Sequence, residues 1–215
     1  LTLTTGGENV ALGSNTLRGT AVTGNYNVAV GNAALSDITA GSENVAVGYS
    51  SLNNNTTGVR NVAVGTDALD TSTTANDNTA IGHDALFSTT TGGNNTAVGG
   101  QSLDANTTGA DNVAVGFAAL GANTTAVNNV AVGNYSLDAN TTGNNNSALG
   151  TNALTGNTTG SSNVAVGATA LKTSSTGHRN ISIGHNSMEL NQSGSDNVAI
   201  GHDTLKQNTT TSNNV

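Results

Sequence analysis

A short motif of alternating small and branched apolar residues recurs along the chain at a constant spacing. It opens on an asparagine and closes on a glycine, as in Asn44–Gly48, Asn112–Gly116 and Asn197–Gly201. The asparagine occurs at Asn9, Asn27, Asn44, Asn61, Asn78, Asn95, Asn112, Asn129, Asn146, Asn163, Asn180, Asn197 and Asn214. The first interval is 18 residues long and every later one is 17. Positions 1 to 17 of each repeat are numbered here from this asparagine.

Apolar and polar positions are strictly ordered within the repeat. Position 5 is glycine in all twelve complete repeats, and position 9 is leucine in all but one, which has Met188. Position 3 is alanine except at Ser182, and positions 2 and 4 are mostly valine or isoleucine. Positions 12 to 15 tend to read Asn-Thr-Thr-Gly. Such a regular spacing indicates that each repeat stacks on the next in the same way.

This pattern predicts an all-β fold, a parallel β-solenoid with 17-residue coils. Each coil would contain a strand at positions 2 to 4, a turn at the glycine, an extended segment near positions 7 to 9 and a polar corner. Paired coils would lie about 4.8 Å apart. We expect one solenoid domain over residues 1–215, with about twelve coils starting at Asn9, as a fragment of a longer fibre chain.

Two rows of residues have predicted structural roles. The glycine suits a tight turn with positive φ or a close backbone approach, as at Gly31, Gly48, Gly65 and Gly82. The position-1 amides can hydrogen-bond from coil to coil as an asparagine ladder, formed by Asn27, Asn44, Asn61, Asn78, Asn95 and Asn112.

The position-3 alanines predict association between chains. Side chains alternate faces along a strand, so with positions 2 and 4 pointing inward, position 3 would point outward. A strand that is apolar on both faces is usually covered on both. We expect an inter-chain face made of Ala46, Ala63, Ala80, Ala97, Ala114 and Ala131, and a parallel, coaxial homo-oligomer with a trimer favoured.

The composition argues against several classes of function. Charged residues make up 8% of the chain, aromatic residues 2%, and the net charge is −8. The acidic balance argues against nucleic acid as a partner, and no apolar run is long enough to insert in a membrane. With no cysteine and no recognisable catalytic motif, we expect neither an enzyme nor a bound cofactor.

A few residues could carry chemistry. His83, His185 and His202 share position 6; His185 and His202 lie one repeat apart and are weak candidates for a metal site. Glu43 and Arg60 are one repeat apart and could form an ion pair between coils. Asn-x-Thr sequons recur in the polar corner, for example at Asn55, Asn106, Asn123, Asn140, Asn157 and Asn208. They would stay bare in a bacterial or viral protein and would carry sugar in a glycosylating host.

The Asn-Val-Ala-Val-Gly motif, with the Ala-Leu and Asn-Thr-Thr-Gly that follow, resembles the head repeats of trimeric autotransporter adhesins and repeats of phage tail fibres and bacterial surface fibres. The resemblance covers nearly the whole chain. It implies a left-handed parallel β-roll, three rolls around one axis, and attachment to a host or prey receptor or glycan from a cell or virion surface. The adhesin repeats are typically about 14 residues, shorter than those of this chain.

Three functions remain open from the sequence. The first is a structural or adhesive segment of an extracellular or virion fibre. The second is a binder of a regular surface such as ice or crystalline polysaccharide, through threonine rows at positions 13 and 14. The third is a self-assembling extracellular filament without adhesion.

Overall fold

The computed structural model of the chain describes residues 6–215, so residues 1–5 of the predicted domain lie outside the described part. The described residues form two compact units, one ending at Thr108 and one beginning at Gly109. Each repeat contributes one three-residue strand. The first unit has β1 (Val10–Leu12), β2 (Val28–Val30), β3 (Val45–Val47), β4 (Val62–Val64), β5 (Thr79–Ile81) and β6 (Thr96–Val98). The second has β7 (Val113–Val115), β8 (Val130–Val132), β9 (Ser147–Leu149), β10 (Val164–Val166), β11 (Ile181–Ile183) and β12 (Val198–Ile200).

Within each unit, successive strands pair in parallel with equivalent residues opposite each other. Ala29 lies opposite Ala46 in β2 and β3, and Ala165 lies opposite Ser182 in β10 and β11. Backbone hydrogen bonds join the coils, such as Val28 N to Asn44 O at 2.8 Å. The predicted parallel β-solenoid with 17-residue coils is therefore confirmed, and the single domain over residues 1–215 stays a prediction.

The predicted extended segment at positions 7 to 9 is wrong. Residues at positions 7 and 9 have positive φ, for example Ser50 at 48° and Leu52 at 51°. The segment still bonds to its neighbours, since Ser50 N donates to Asn32 O at 3.0 Å and Leu52 N donates to Ala68 O at 2.9 Å. A left-handed leucine costs roughly 1–2 kcal/mol, and its complete burial offsets that cost.

The prediction for the position-5 glycines is confirmed. Their φ angles are positive, 136° at Gly31 and 139° at Gly65. A Cβ added at Gly31, Gly48 or Gly65 would overlap the carbonyl oxygen of the glycine one coil further on. Only glycine combines this backbone angle with so close an approach.

The alanine row lies inside the coil, so the predicted inter-chain face is wrong. The side chains that were expected to face a partner chain are already covered within their own chain: Ala46, Ala63, Ala80, Ala97, Ala114 and Ala131 are each 0% exposed. Positions 2 and 4, which were expected to point inward, are half-buried or exposed. The strand alternates as expected, but with the opposite face turned to the core.

The one serine in this row shows why the residue is small. Ser182 Oγ donates to the backbone oxygen of Ser187, at position 8 of the same coil, at 2.8 Å. Ser187 Oγ in turn contacts Ala199 O of the next coil at 3.2 Å. Positions 3 and 8 therefore face each other across the coil at hydrogen-bonding distance. The small alanine side chain lets the two walls of one coil approach each other. It was expected instead to let separate chains approach a symmetry axis.

Replacing Ala63 with valine should destabilise the chain by roughly 1–3 kcal/mol, because two extra methyl groups must fit a closed core. Ala63 is 0% exposed. Ala40→Val makes the same change at an exposed position-14 site, where most repeats carry threonine, and should alter stability by less than ~0.5 kcal/mol. Urea denaturation followed by circular dichroism measures both. Equal, small effects would contradict the inward placement of the row.

Candidate functional site

The position-1 asparagines form the predicted ladder. Asn44 Oδ1 accepts hydrogen bonds from Asn61 N at 3.0 Å and from Asn61 Nδ2 at 3.2 Å, while Asn44 Nδ2 donates to Gly58 O at 2.9 Å. The same bonds link Asn27, Asn44, Asn61, Asn78 and Asn95 in the first unit, and Asn112 with Asn129 in the second. These side chains are buried, so the row holds coils together and is closed to ligands.

A second asparagine ladder, at position 12, was not predicted. Asn140 Nδ2 donates to Asn123 Oδ1 at 3.2 Å, and Asn157 Nδ2 donates to Asn140 Oδ1 at 2.8 Å. Asn140 Nδ2 also donates to Gly143 O at 3.0 Å, which closes the polar corner. The sequence signal was the small residue that recurs three residues after these asparagines, as Ala126, Gly143 and Gly160.

Burial of this second row overturns most of the sequon prediction. Five of the sequon amides are 0% exposed and out of reach of a glycosylating enzyme in the folded chain: Asn55, Asn106, Asn123, Asn140 and Asn157. Asn208, in the last coil, is half-buried.

Substituting Asn61 with alanine should cost about 3 kcal/mol or more, since it leaves several buried donors and acceptors without partners. Among them are the backbone N–H of Asn78 and the carbonyl of Ala75. The matched control is Asn76→Ala: Asn76 Oδ1 accepts from Val59 N at 2.8 Å on the exposed surface, where water replaces the lost group, so the cost should stay below ~1 kcal/mol. Urea denaturation compares the two variants, and equal costs would contradict the structural role of the ladder.

The outer face of each unit's sheet is a largely apolar surface, called here the outer valine face, which Thr79, Thr96 and Ser147 interrupt. It consists of the side chains at positions 2 and 4 of every strand. In the first unit Val47 is 36% and Ile81 40% exposed, and in the second Leu149 is 51% and Ile200 66% exposed. No position 2 or 4 from β1 to β12 carries a charged residue. An apolar face of this extent on a folded chain is typical of an interaction surface.

The two threonine rows have different roles. At position 13 the hydroxyl donates to a carbonyl of the next coil, as from Thr56 Oγ1 to Thr73 O and from Thr141 Oγ1 to Thr158 O, both at 3.0 Å. At position 14 the threonine is exposed, as at Thr57. Only one of the two predicted rows is therefore fully available to a surface ligand.

Charged side chains pair from coil to coil, but the predicted Glu43–Arg60 pair is not the one formed. Arg60 binds both carboxylate oxygens of Asp77 in the following coil, at 2.6 and 2.8 Å. Arg179 binds Asp196 in the same way. The hydrogen bonds from Arg60 hold the pKa of Asp77 below its usual value, and Glu43 contributes to the pKa of Arg60 only through its charge.

Asp70 has the opposite environment. Its Oδ1 is buried and has no hydrogen-bond partner. Desolvation raises the pKa of this carboxyl, more than a hydrogen bond from Asn53 lowers it, and the charges of Asp67 and Asp37 raise it further. The ionised form of Asp70 therefore opposes folding at neutral pH.

Asp70→Asn and Asp77→Asn should shift the melting temperature in opposite directions at pH 7. A pKa raised by folding means that stability falls as pH rises through the ordinary carboxyl range, so Asp70→Asn should raise the melting temperature at pH 7 and change it little at pH 3. A lowered pKa gives stability at neutral pH that is lost on acidification, so Asp77→Asn should slightly lower the melting temperature at pH 7 only. Calorimetry at both pH values provides the comparison; shifts of the same sign would contradict these environments.

The two histidines named as weak metal candidates stack on each other. The rings of His185 and His202 have centroids 5.3 Å apart and an interplanar angle of 14°. Imidazole lone pairs lie in the ring plane, so the nitrogens of nearly parallel rings point along parallel planes and do not converge on one ion. No carboxylate joins this pair in a group of three metal-binding side chains among residues 6–215.

Comparison with family models, with curated proteins and with solved structures finds no match for this chain. Within the described residues, no helix is long and apolar enough to cross a bilayer. The main surface feature of both units is the outer valine face.

Proposed function

We propose that this chain is a structural and adhesive segment of an extracellular or virion fibre, in which homotrimers associate through the outer valine face and present their polar surfaces to a receptor or glycan. It acts by spacing and attachment, without catalysis. The observation that carries the proposal is the row of uncharged, mostly aliphatic side chains at positions 2 and 4, half-buried or exposed, along the strands of both units.

The size of this face supports association. Each unit offers twelve outward positions at 2 and 4, most of them aliphatic. Because complete burial of one aliphatic side chain is worth ~1.5–3 kcal/mol, and these are partly covered already, burying one unit's face would contribute on the order of 10 kcal/mol. Association costs ~4–15 kcal/mol. The contribution of one unit's face is therefore of the same size as the cost of association.

The chemistry of the face favours a second copy of the same chain as partner. Its lack of charge means that no ion must lose water on association. Its repeat along the coils means that parallel copies present matching rows at the same spacing. The number three comes from the resemblance to trimeric adhesin repeats, and so does the role in attachment at a cell or virion surface.

The alternative of lattice binding through threonine rows gains no support from the geometry, because the position-13 hydroxyls are used between coils. The alternative of a filament without adhesion differs from the proposal in end-to-end growth, which electron microscopy distinguishes.

The association is tested by placing charge on the outer valine face. Light scattering of the wild-type chain, of mass 21.0 kDa, should give three times that mass. The double variant Val64→Lys/Ile81→Lys should be monomeric while keeping its β-type circular dichroism, because buried unpaired ammonium groups are strongly unfavourable.

The matched control is Thr57→Lys/Thr74→Lys, which adds the same charges at exposed position-14 sites and should leave the trimer intact. A wild-type monomer, or equal dissociation by both pairs of substitutions, would contradict the proposal. Attachment is then measured as retention of the trimer on cells or immobilised glycans, and failure to bind any of them would leave a purely structural filament.

A further inference from the structure

Three metal-binding side chains meet on the surface of the first unit. Asp67, His83 and Asp84 each offer one ligand atom, and these atoms all lie within 4.8 Å of one another. Asp67 and Asp84 are half-buried, and His83 is exposed. His83 Nδ1 lies 2.8 Å from Asp84 Oδ2. This cluster is separate from the outer valine face and has no part in the ladders.

The coil stacking brings these residues together. Asp67 and Asp84 both occupy position 7, in adjacent coils, with φ angles of 55° and 56°. Asp84 N donates to Thr66 O at 3.1 Å, which ties the two segments together just beyond the glycine turn. Equal backbone angles in adjacent coils direct both carboxylates to the same side, and His83 at position 6 stands beside them.

The cluster carries a charge that the protein does not balance. Carboxylates directly opposite each other on neighbouring strands or coils destabilise the fold. Of the Lys and Arg ion pairs formed by residues 6–215, none involves Asp67 or Asp84. Asp70 adds to the negative potential, since the charge of Asp67 contributes to its raised pKa.

The second unit contains an equivalent His–Asp pair whose charge is balanced. His202 Nδ1 lies 3.1 Å from Asp203 Oδ2, as His83 does from Asp84. The residue equivalent to Asp67 is the neutral Asn186. Lys206 places its ammonium 3.1 Å from Asp203 Oδ1 and 3.4 Å from Glu189 Oε2. In the first unit Phe87 occupies the position of Lys206. The cluster of the first unit therefore has two carboxylates and no lysine, whereas the equivalent place in the second unit has one carboxylate and a lysine.

We propose that Asp67, His83 and Asp84 bind a divalent transition-metal ion of the zinc type. One imidazole nitrogen with two carboxylates suits Zn²⁺, Co²⁺ or Ni²⁺, whereas Mg²⁺ and Ca²⁺ prefer oxygen ligands alone. Ligand atoms around a tetrahedral zinc lie about 3.4 Å apart for metal–ligand distances near 2.1 Å. Side-chain rotation can bring the three ligand atoms from their present separations of up to 4.8 Å to this distance. The His83 side chain is 63% exposed and has room to rotate.

Such an ion would join two adjacent coils and cancel the repulsion between their carboxylates. Three protein ligands leave a coordination position open to water or to a donor group of another molecule. This site would form with or without the proposed fibre, because the three ligands belong to one chain and one unit.

Isothermal titration calorimetry of the full chain, without an affinity tag, tests the site with zinc chloride as the probe. We expect one Zn²⁺ per chain and a rise in melting temperature on binding. Asp67→Asn, which makes this site resemble the second unit, and His83→Gln should each weaken binding at least tenfold and abolish the thermal shift. Magnesium chloride at the same concentration should produce neither effect.

His202→Gln is the matched control, because it alters the equivalent histidine beside a lysine-balanced carboxylate; it should leave both the affinity and the thermal shift unchanged. No saturable binding by the wild-type chain would overturn the proposal. So would unchanged binding in Asp67→Asn together with loss in His202→Gln, which would assign the zinc to the stacked pair His185–His202.

Discussion

The hydrogen bonding of each coil to the equivalent residues of its neighbours is the constraint on which the rest of the structure depends. The backbone of the strand, the turn segment and the corner all donate to or accept from the adjacent coil, and the Asn44 and Asn140 amides do the same with side-chain atoms. These bonds require equivalent residues to lie opposite each other in adjacent coils. The one 18-residue interval fits because Val10 still lies opposite Val28, with the extra residue outside the strand.

The coil is narrow, and small and polar side chains fill its interior while larger aliphatic side chains lie on its surface. The interior holds alanine at position 3, left-handed leucine at position 9 and two rows of asparagine. The polar rows are tolerated because their amides are bonded along the axis. Valine and isoleucine, which would ordinarily fill a core, lie outside. A chain folded in this way buries two rows of amides and leaves part of its aliphatic surface exposed.

The surface positions are free to differ from coil to coil, and the chemistry of the chain lies there. Position 7 carries serine at Ser50 and aspartate at Asp67 and Asp84, while the backbone around it hardly changes. Stacking places residues of the same position in adjacent coils next to each other, so two side chains one repeat apart can pair. The bidentate bonds of Arg60 with Asp77 and the stacked rings of His185 and His202 arise in this way, as does the cluster of Asp67, His83 and Asp84.

The sequence by itself determined the solenoid, its period, the Asn44 ladder and the turn at Gly48, because each follows from a residue type repeated at a fixed spacing. It left undecided which face of the strand is inside. In Val45–Ala46–Val47 both faces of the strand are apolar. The alternation of side chains shows that Ala46 and the two valines point to opposite faces, but it does not show which face is buried. Only the tertiary structure decided this, since positions 3 and 8 face each other across the coil at hydrogen-bonding distance and leave room for a side chain no larger than alanine or serine. The tertiary structure also decided the second ladder at Asn140 and the positive φ of Leu52, because both depend on how the corner packs against the next coil.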